Sequence, residues 1–206
     1  MPAFPHARYL LGANAPGQFV PDTGTEVAVA GRSNSGKSSA INALTQRRSL
    51  ARTSKTPGQT QLINFFELEP GRRLIDLPGY GFAKVPRAIQ DHWRGLLESY
   101  FSRRESLAAL FIVMDARRGL GEQDWQMLEY ARARGRPVYL LLSKADKLSR
   151  AESQKVLAEV RRELGGLAGA QLFSAVTGAG VDEARGALRA YLRAKKPGDA
   201  SVAGPD

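Results

Sequence analysis

Nine consecutive residues, Gly31-Arg32-Ser33-Asn34-Ser35-Gly36-Lys37-Ser38-Ser39, constrain this chain more than any other stretch. They carry the pattern G-x-x-x-x-G-K-[ST], preceded by the apolar run EVAVA (Glu26 to Ala30) and followed by the helical-looking SAINALTQ. A buried strand, a glycine-rich turn and a helix start in that order build a cradle for phosphate. The glycines let successive backbone N–H groups converge on one anion, and the helix N-terminus adds its positive dipole end. Lys37 is then expected to reach the β- and γ-phosphate oxygens and Ser38 to ligate magnesium. An ordinary glycine-rich turn is the alternative, and the strand and helix on either side argue against it.

The rest of the chain alternates strand and helix signals. Strands are expected at 61–68 and 72–77, joined by a hairpin turn at Glu69-Pro70-Gly71, and at 107–114, 137–142 and 170–173. Helices are expected at 86–104, where Ile89, Trp93, Leu96, Leu97 and Tyr100 share one face, and at 122–133, 149–164 and 181–193. Ser149 and Glu152 form a capping box for the third of these. Residues 47–60 show no apolar period and contain Pro57-Gly58, the pattern of a long, mobile loop. Continuous apolar runs such as LAALFIVM suit strands covered on both faces. The expected fold is therefore α/β with three αβα layers, a mostly parallel sheet and one antiparallel strand at its edge. The domains are expected as an N-terminal extension over 1–24, the main domain over 25–194 and a disordered tail over 195–206.

Composition narrows the chemistry. With no cysteine, disulfides and thiolate chemistry are excluded, and His6 and His92, far apart, argue against a histidine metal site. No apolar run approaches the roughly 20 residues that cross a bilayer, and the first residues do not read as a secretion signal. Thirty Lys and Arg against twenty Asp and Glu leave a net charge of +10. That excess favours a polyanionic partner, with a solvated basic surface as the plain alternative. Arg47, Arg48, Arg52, Lys55, Lys84 and Arg87 lie in or beside the loops that follow the phosphate cradle and the Asp76 segment. The pairs Arg72-Arg73, Arg103-Arg104 and Arg117-Arg118 and the set Arg132, Arg134, Arg136 lie elsewhere.

Three later segments select guanine over adenine by their order and intervals, which are those of the translation-factor-related GTPases. Asp76-Leu77-Pro78-Gly79 ends a strand, where Asp76 can hold magnesium through water and the Gly79 N–H can sense a γ-phosphate. Ser143-Lys144-Ala145-Asp146 resembles the [NT]-K-x-D motif. The Asp146 carboxylate can accept from the N1–H and exocyclic amine of guanine, a donor pair that adenine lacks, and the Lys144 stem can lie over the base plane. Phe173-Ser174-Ala175 ends the last strand and can offer the Ala175 N–H to guanine O6. Ser143 departs from the usual Asn or Thr; it keeps a hydroxyl but loses the methyl, which is expected to loosen the loop without changing base choice.

Together these residues resemble the EngB family of bacterial ribosome-biogenesis GTP-binding proteins. The resemblance is carried by VAGRSNSGKSS (29–39), Thr53-Ser54-Lys55-Thr56-Pro57-Gly58-Gln59-Thr60-Gln61, Ile63-Asn64-Phe65-Phe66, Asp76-Leu77-Pro78-Gly79-Tyr80-Gly81 and Lys144-Ala145-Asp146-Lys147-Leu148, and runs from about Glu26 to Leu192. It implies a Ras-like fold, a cytoplasmic location, GTP hydrolysis with Mg2+, and action as a monomer in large ribosomal subunit assembly, with rRNA as partner, no membrane role and effects on cell division. Residues 47–61 become switch one, with Thr60 as the magnesium-binding threonine and Thr56 its rival; residues 79–87 become switch two. The resemblance marks Lys37, Thr60 and Gly79 as the groups acting on the transferred phosphate. Tyr80 occupies the place of the water-orienting glutamine of Ras, so intrinsic hydrolysis is expected to be slow; a packing role for Tyr80 is the alternative. Asn34 matches an asparagine that in related GTPases helps hold potassium, against the plain reading of a turn residue. A P-loop phosphotransferase and a nucleotide-dependent RNA scaffold with little turnover are the rival functions.

Overall fold

A computed structural model describes residues 3–51, 62–80 and 86–194. The chain runs β1 (Arg8–Ala13), β2 (Thr25–Gly31), α1 (Lys37–Thr45), β3 (Ile63–Glu69), β4 (Arg72–Asp76), α2 (Arg87–Arg103), β5 (Leu107–Asp115), α3 (Glu122–Arg132), β6 (Val138–Ser143), α4 (Arg150–Leu164), β7 (Gly169–Leu172) and α5 (Val181–Arg193). Among the described residues these strands form one seven-stranded sheet in the order β1-β3-β4-β2-β5-β6-β7. β2 is parallel to β4 and β5, β5 to β6, and β6 to β7, whereas β3 runs antiparallel to both β1 and β4.

Strand alternation divides the apolar side chains between two cores. Ala28, Ala30, Leu110, Ile112, Met114, Leu140 and Leu142 face α2, α3 and α4 through Leu96, Leu97, Tyr100, Met127, Leu128, Leu157 and Val160. The intervening Val27, Val29, Phe111, Val113 and Leu141 face α1 and α5 through Ile41, Leu44, Ala184, Leu188 and Leu192. That is the expected three-layer α/β architecture, and it explains why the central strands read as unbroken apolar runs. His6 and His92 are exposed, as expected of surface residues.

The antiparallel portion lies at one edge, as expected, but it is wider than the hairpin alone. Residues 8–13, left without an element in the sequence reading, form the outermost strand, so β3 is covered rather than terminal. Ahead of that strand, Phe4 is 1% exposed and packs among Ala40, Ile41 and Leu44 of α1, with the Arg189 guanidinium 5.3 Å from its ring centre. The described part of the N-terminal extension is thus built into the sheet and the α1/α5 core. The tail from 195 lies outside the described residues.

Two arginine doublets split between surface and interior. Arg73 and Arg104 are buried on Glu26, which is fully inaccessible at the start of β2. Arg73 Nε donates to Glu26 Oε1 at 2.8 Å, Arg104 Nη2 to the same oxygen at 2.6 Å, and Arg104 Nε and the Tyr100 hydroxyl to Oε2 at 2.9 and 3.0 Å. Burial and the Glu26 charge together push the Tyr100 hydroxyl well above its ordinary range. Both guanidiniums also bond main-chain oxygens of the segment between β1 and β2, namely Val20 and Pro21 for Arg104 and Pro21 and Thr23 for Arg73. An interior carboxylate so fully paired is compatible with folding, whereas loss of one partner would leave an uncompensated charge. These two arginines hold the N-terminal segment and are not part of any basic surface.

Candidate functional site

The parallel strands β2, β4, β5 and β6 end on the same side of the sheet, where an open α/β sheet places its ligands. The segment Gly31–Ser38 leaves β2 there and enters α1. Gly31 is forced by close packing: a Cβ there would lie 2.6 Å from the Val113 carbonyl oxygen of the neighbouring strand. Gly36, with φ +93°, is the N-cap of α1, and no side chain caps that helix or places a carboxylate in its first turn. The helix start is thereby left to an anion, which is the physical condition for a phosphate cradle. Asn34 has φ +63°, a left-handed turn that asparagine tolerates better than most residues, and its side chain is exposed.

Lys37 and Asp76 form an ion pair across the mouth of this cradle, their side chains 13% and 9% exposed. Asp76 ends β4, and the Leu77 N–H continues the ladder to Val29 O at 3.0 Å. Beyond it Tyr80 and Arg32 form a short parallel bridge: the Ser33 N–H donates to Tyr80 O at 2.8 Å and the Tyr80 N–H to Gly31 O at 3.3 Å, with Gly79 lying against the Ser33 backbone. The Asp-Leu-Pro-Gly segment is therefore bonded to the phosphate loop itself. The Tyr80 hydroxyl donates to Asp124 Oδ1 at 2.6 Å, and Asp124 Oδ2 accepts the Gly121 N–H that opens α3. Burial, reinforced by the Asp124 charge, pushes the Tyr80 phenol well above its ordinary range, so it is neutral at physiological pH. This bond supplies the packing role for Tyr80 that the sequence left open.

The second half of the site grows from β6. The Ser143 hydroxyl lies within bonding distance of the Ser35 and Met114 carbonyl oxygens, joining β6 to the phosphate loop and to β5. The serine hydroxyl makes this anchoring without the threonine methyl. Lys144 adopts φ +56°, and its side chain runs back to the phosphate loop, where Nζ donates to Asn34 O at 2.6 Å and lies 3.0 Å from Asp115 Oδ2. Asp146 sits in a single helical turn, Ala145–Lys147. Its Oδ1 accepts from the Ser174 hydroxyl at 2.6 Å, and that bond first of all holds the carboxyl below its ordinary range, with Lys147 contributing. Ser174 is fully buried, and its oxygen accepts from the N–H groups of Val176 and Thr177 at 3.2 and 3.1 Å. Donors on one side of the hydroxyl thus aim its proton at Asp146. Phe173 is core, 1% exposed, and meets the site only through its carbonyl, which accepts the Ala145 N–H at 3.2 Å; Ala175 is exposed.

The structure thus brings together Gly31, Arg32, Ser33, Asn34, Ser35, Gly36, Lys37, Ser38, Ser39, Asp76, Leu77, Pro78, Gly79, Ser143, Lys144, Ala145, Asp146, Ser174 and Ala175 at one end of the sheet. Thr56, Pro57, Gly58, Gln59 and Thr60, with Arg52, Lys55 and Lys84, lie outside the described residues. Arg47, expected among basic switch residues, is bonded to the main-chain oxygens of Pro5 and Ala7. Asp115 was not foreseen. It is 3% exposed, holds Arg117 through both carboxylate oxygens and meets Lys144; the Arg117 bonds, with those of Lys144, keep it far below the ordinary carboxylate range. Its only sequence signal is an acidic residue closing an apolar strand.

The described residues hold no group of three or more His, Asp or Glu that could seat a metal unaided. Asp76 at the mouth of the phosphate cradle and Ser38 in the first turn of α1 are donors of the kind magnesium takes, an ion that keeps several waters and is usually held by one or two carboxylates together with substrate phosphates.

Known proteins agree with this geometry. The family model described as 50S ribosome-binding GTPase matches residues 26–144. The chain is 52% identical over 190 residues to the probable GTP-binding protein EngB of Stenotrophomonas maltophilia, covering 90% of this chain and 95% of that protein. It is 47% identical over 196 residues to the protein of the same name from Xylella fastidiosa, covering 93% and 97%. Among solved structures, a probable GTP-binding protein EngB superposes with a TM-score of 0.67 at 23% identity, covering 82% of this chain and 99% of that one. Era in complex with MgGDPNP and nucleotides 1506–1542 of 16S ribosomal RNA superposes with a TM-score of 0.64 at 20% identity, covering 85% and 59%. At such identities the superpositions establish the fold, while the closer sequences establish kinship. The chain belongs to the EngB family of P-loop GTP-binding proteins.

Proposed function

We propose that this GTPase binds GTP and GDP with Mg2+ between the phosphate cradle and the Asp146 loop, hydrolyses GTP slowly on its own, and uses its nucleotide state to govern association with the large ribosomal subunit or its precursors. The observation that carries the binding reading is the direct linkage of the two halves, through Lys144 Nζ to Asn34 O and the Ser143 hydroxyl to Ser35 O. One ligand with a purine at one end and phosphates at the other suits two loops fixed to each other in this way.

In this reading the Asp146 carboxylate accepts from N1–H and the exocyclic amine of guanine, the Lys144 stem covers the base, and the Ala175 N–H faces O6. Lys37 would leave Asp76 for the β- and γ-phosphates, while Ser38, Asp76 (through water) and, by family position, Thr60 would hold magnesium, which would neutralise charge on the phosphates. The Gly79 N–H senses the γ-phosphate, and hydrolysis gives GDP and inorganic phosphate. Tyr80, its hydroxyl given to Asp124, does not replace a water-orienting glutamine, which supports slow intrinsic turnover. The left-handed turn at Asn34 is reason enough for asparagine there, and its exposed side chain also leaves room for potassium; hydrolysis in potassium against sodium separates the two readings.

The family model's description favours a large-subunit partner, and the +10 net charge favours its RNA. No described helix is long and apolar enough to cross a membrane. A monomeric, cytoplasmic protein with an effect on cell division is the reading that goes with that partner. Co-sedimentation with large-subunit particles in GDP, in a GTP analogue and without nucleotide tests the switch: unequal binding is expected, weakened by salt, and equal binding in all three contradicts it.

A further inference from the structure

We propose that Asp115 is a positioning residue of the base site: it clamps the Lys144 ammonium against the phosphate loop, turning the lysine stem into a fixed shelf for the purine. This rests on the reading of Asp146 and Lys144 as the guanine-binding pair.

A free lysine side chain samples many rotamers, so an unheld stem makes a poor platform for a flat base. Here both ends of Lys144 are fixed. Its backbone is set in a left-handed turn by the Ala145 N–H bond to Phe173 O at 3.2 Å and the Lys147 N–H bond to Lys144 O at 2.9 Å. Its ammonium is held at 2.6 Å by Asn34 O and at 3.0 Å by Asp115 Oδ2. Asn34 O lies on the loop that must receive phosphate, whereas Asp115 lies at the end of a central strand, in register with Ser143, the residue before Lys144. The rigid anchor is therefore Asp115. Groups that must be held precisely are better supported from a strand than from a loop.

Arg117 shares the same carboxylate: its backbone N–H and Nε reach Oδ1 at 3.1 and 2.9 Å, and its Nη2 reaches Oδ2 at 2.7 Å. Oδ2 therefore serves both cations. Arg117 is 47% exposed and can be hydrated, but Asp115, 3% exposed, depends on its protein partners. An asparagine at 115 would remove the charge and leave the ammonium the Asn34 carbonyl and, at most, a neutral amide oxygen.

The test is a double-mutant cycle read by the release rate of fluorescent GDP. Asp115→Asn is expected to speed release about tenfold, the worth of one charge-assisted hydrogen bond. The preference for GDP over XDP should be unchanged, because Asp146 sets it. Lys144→Met, which keeps the stem and loses the charge, should speed release by a similar factor. The double variant should be no faster than Lys144→Met alone. Additive effects, or release from Asp115→Asn within about twofold of wild type, overturn the proposal. Arg117→Ala, a change at a half-exposed residue that keeps the Asp115 charge, separates the two cations on that carboxylate: its release should stay within about twofold of wild type. A rate matching Lys144→Met would show that the carboxylate works through Arg117 and would also overturn the proposal. Failure of the wild-type protein to bind GDP would sink the base-site reading instead.

Discussion

The two halves of the site differ in how finished they are. On the base side Ser174 aims its hydroxyl at Asp146, Asp115 and the Asn34 carbonyl hold Lys144, and Ser143 ties the loop to the phosphate cradle. In the proposed reading the bonds that hold Asp146 and Lys144 in place remain when a guanine binds, and only the 3.5 Å ion pair of Lys147 with Asp146 Oδ2 has to yield. On the phosphate side Lys37 is engaged by Asp76, and the Gly79-Tyr80 segment is bonded to the backbone of Gly31 and Ser33. In the same reading, phosphates and magnesium would part that ion pair and redraw those contacts. The base side would then give affinity and selectivity at little reorganisation cost, whereas the phosphate side would convert the ligand's charge into movement. A switch needs both, since a ligand shifts a conformational equilibrium only by what it binds differently in the two states.

Asp146→Asn should break the base side most severely. An amide in place of the carboxylate keeps one acceptor oxygen but turns the other end into a donor, so one of the two guanine donors is left facing a donor; GDP affinity is expected to fall by about 10⁴ while XDP becomes the better ligand, as equilibrium titration would show. Ser174→Ala should have a smaller effect, about tenfold on GDP affinity, because one oriented hydrogen bond is lost. It also carries a pH signature. Ser174 holds the Asp146 carboxyl below its ordinary value of 3.8, so the wild-type carboxylate stays charged as pH falls towards that value, and the preference for GDP over XDP, which depends on that charge, should stay level down to about pH 5. Without the hydroxyl the carboxyl takes up its proton at higher pH, so that preference should begin to fall earlier on acidification. The same depression makes a stability contribution that is present above the unfolded carboxyl's value and lost as pH drops through the folded one.

Tyr80→Phe addresses the phosphate side and should have the smallest effect. It leaves the buried Asp124 without one donor, which should cost about 1–2 kcal/mol, a fall in melting temperature of about 2–8 °C. Hydrolysis should change little, because the hydroxyl is given to α3 rather than to water. A large loss of turnover with unchanged stability would assign Tyr80 to the chemistry.

Much of this contrast was legible in the chain because its parts are local. The phosphate cradle is one run of residues between a strand and a helix, and the Asp146 loop is another, so each motif shows itself without knowledge of the fold. The alternating apolar runs also revealed the three layers, since 107–114 and 137–142 can only be strands covered on both sides. Hidden were the pairings between distant residues. Asp115 and Lys144 are 29 positions apart and meet only because β5 and β6 are neighbours in register. Tyr80 and Asp124 are 44 apart, and nothing in either segment points to the other. The Glu26 cluster draws Arg73 from β4, Tyr100 from α2 and Arg104 from the residue that closes α2, so two arginines that read as surface charge lie inside. β1 escaped because RYLLGA is a short edge strand with a bulge, whose partly exposed residues show weak alternation.

Hydrogen–deuterium exchange of the nucleotide-free protein against its GDP–Mg2+ complex tests the contrast most directly. The account predicts that the largest changes in protection fall in residues 31–38 and 76–80, with 143–147 and 173–177 already protected before ligand arrives. The reverse pattern, a base loop that gains its protection only on binding beside a phosphate loop that scarcely changes, would contradict it.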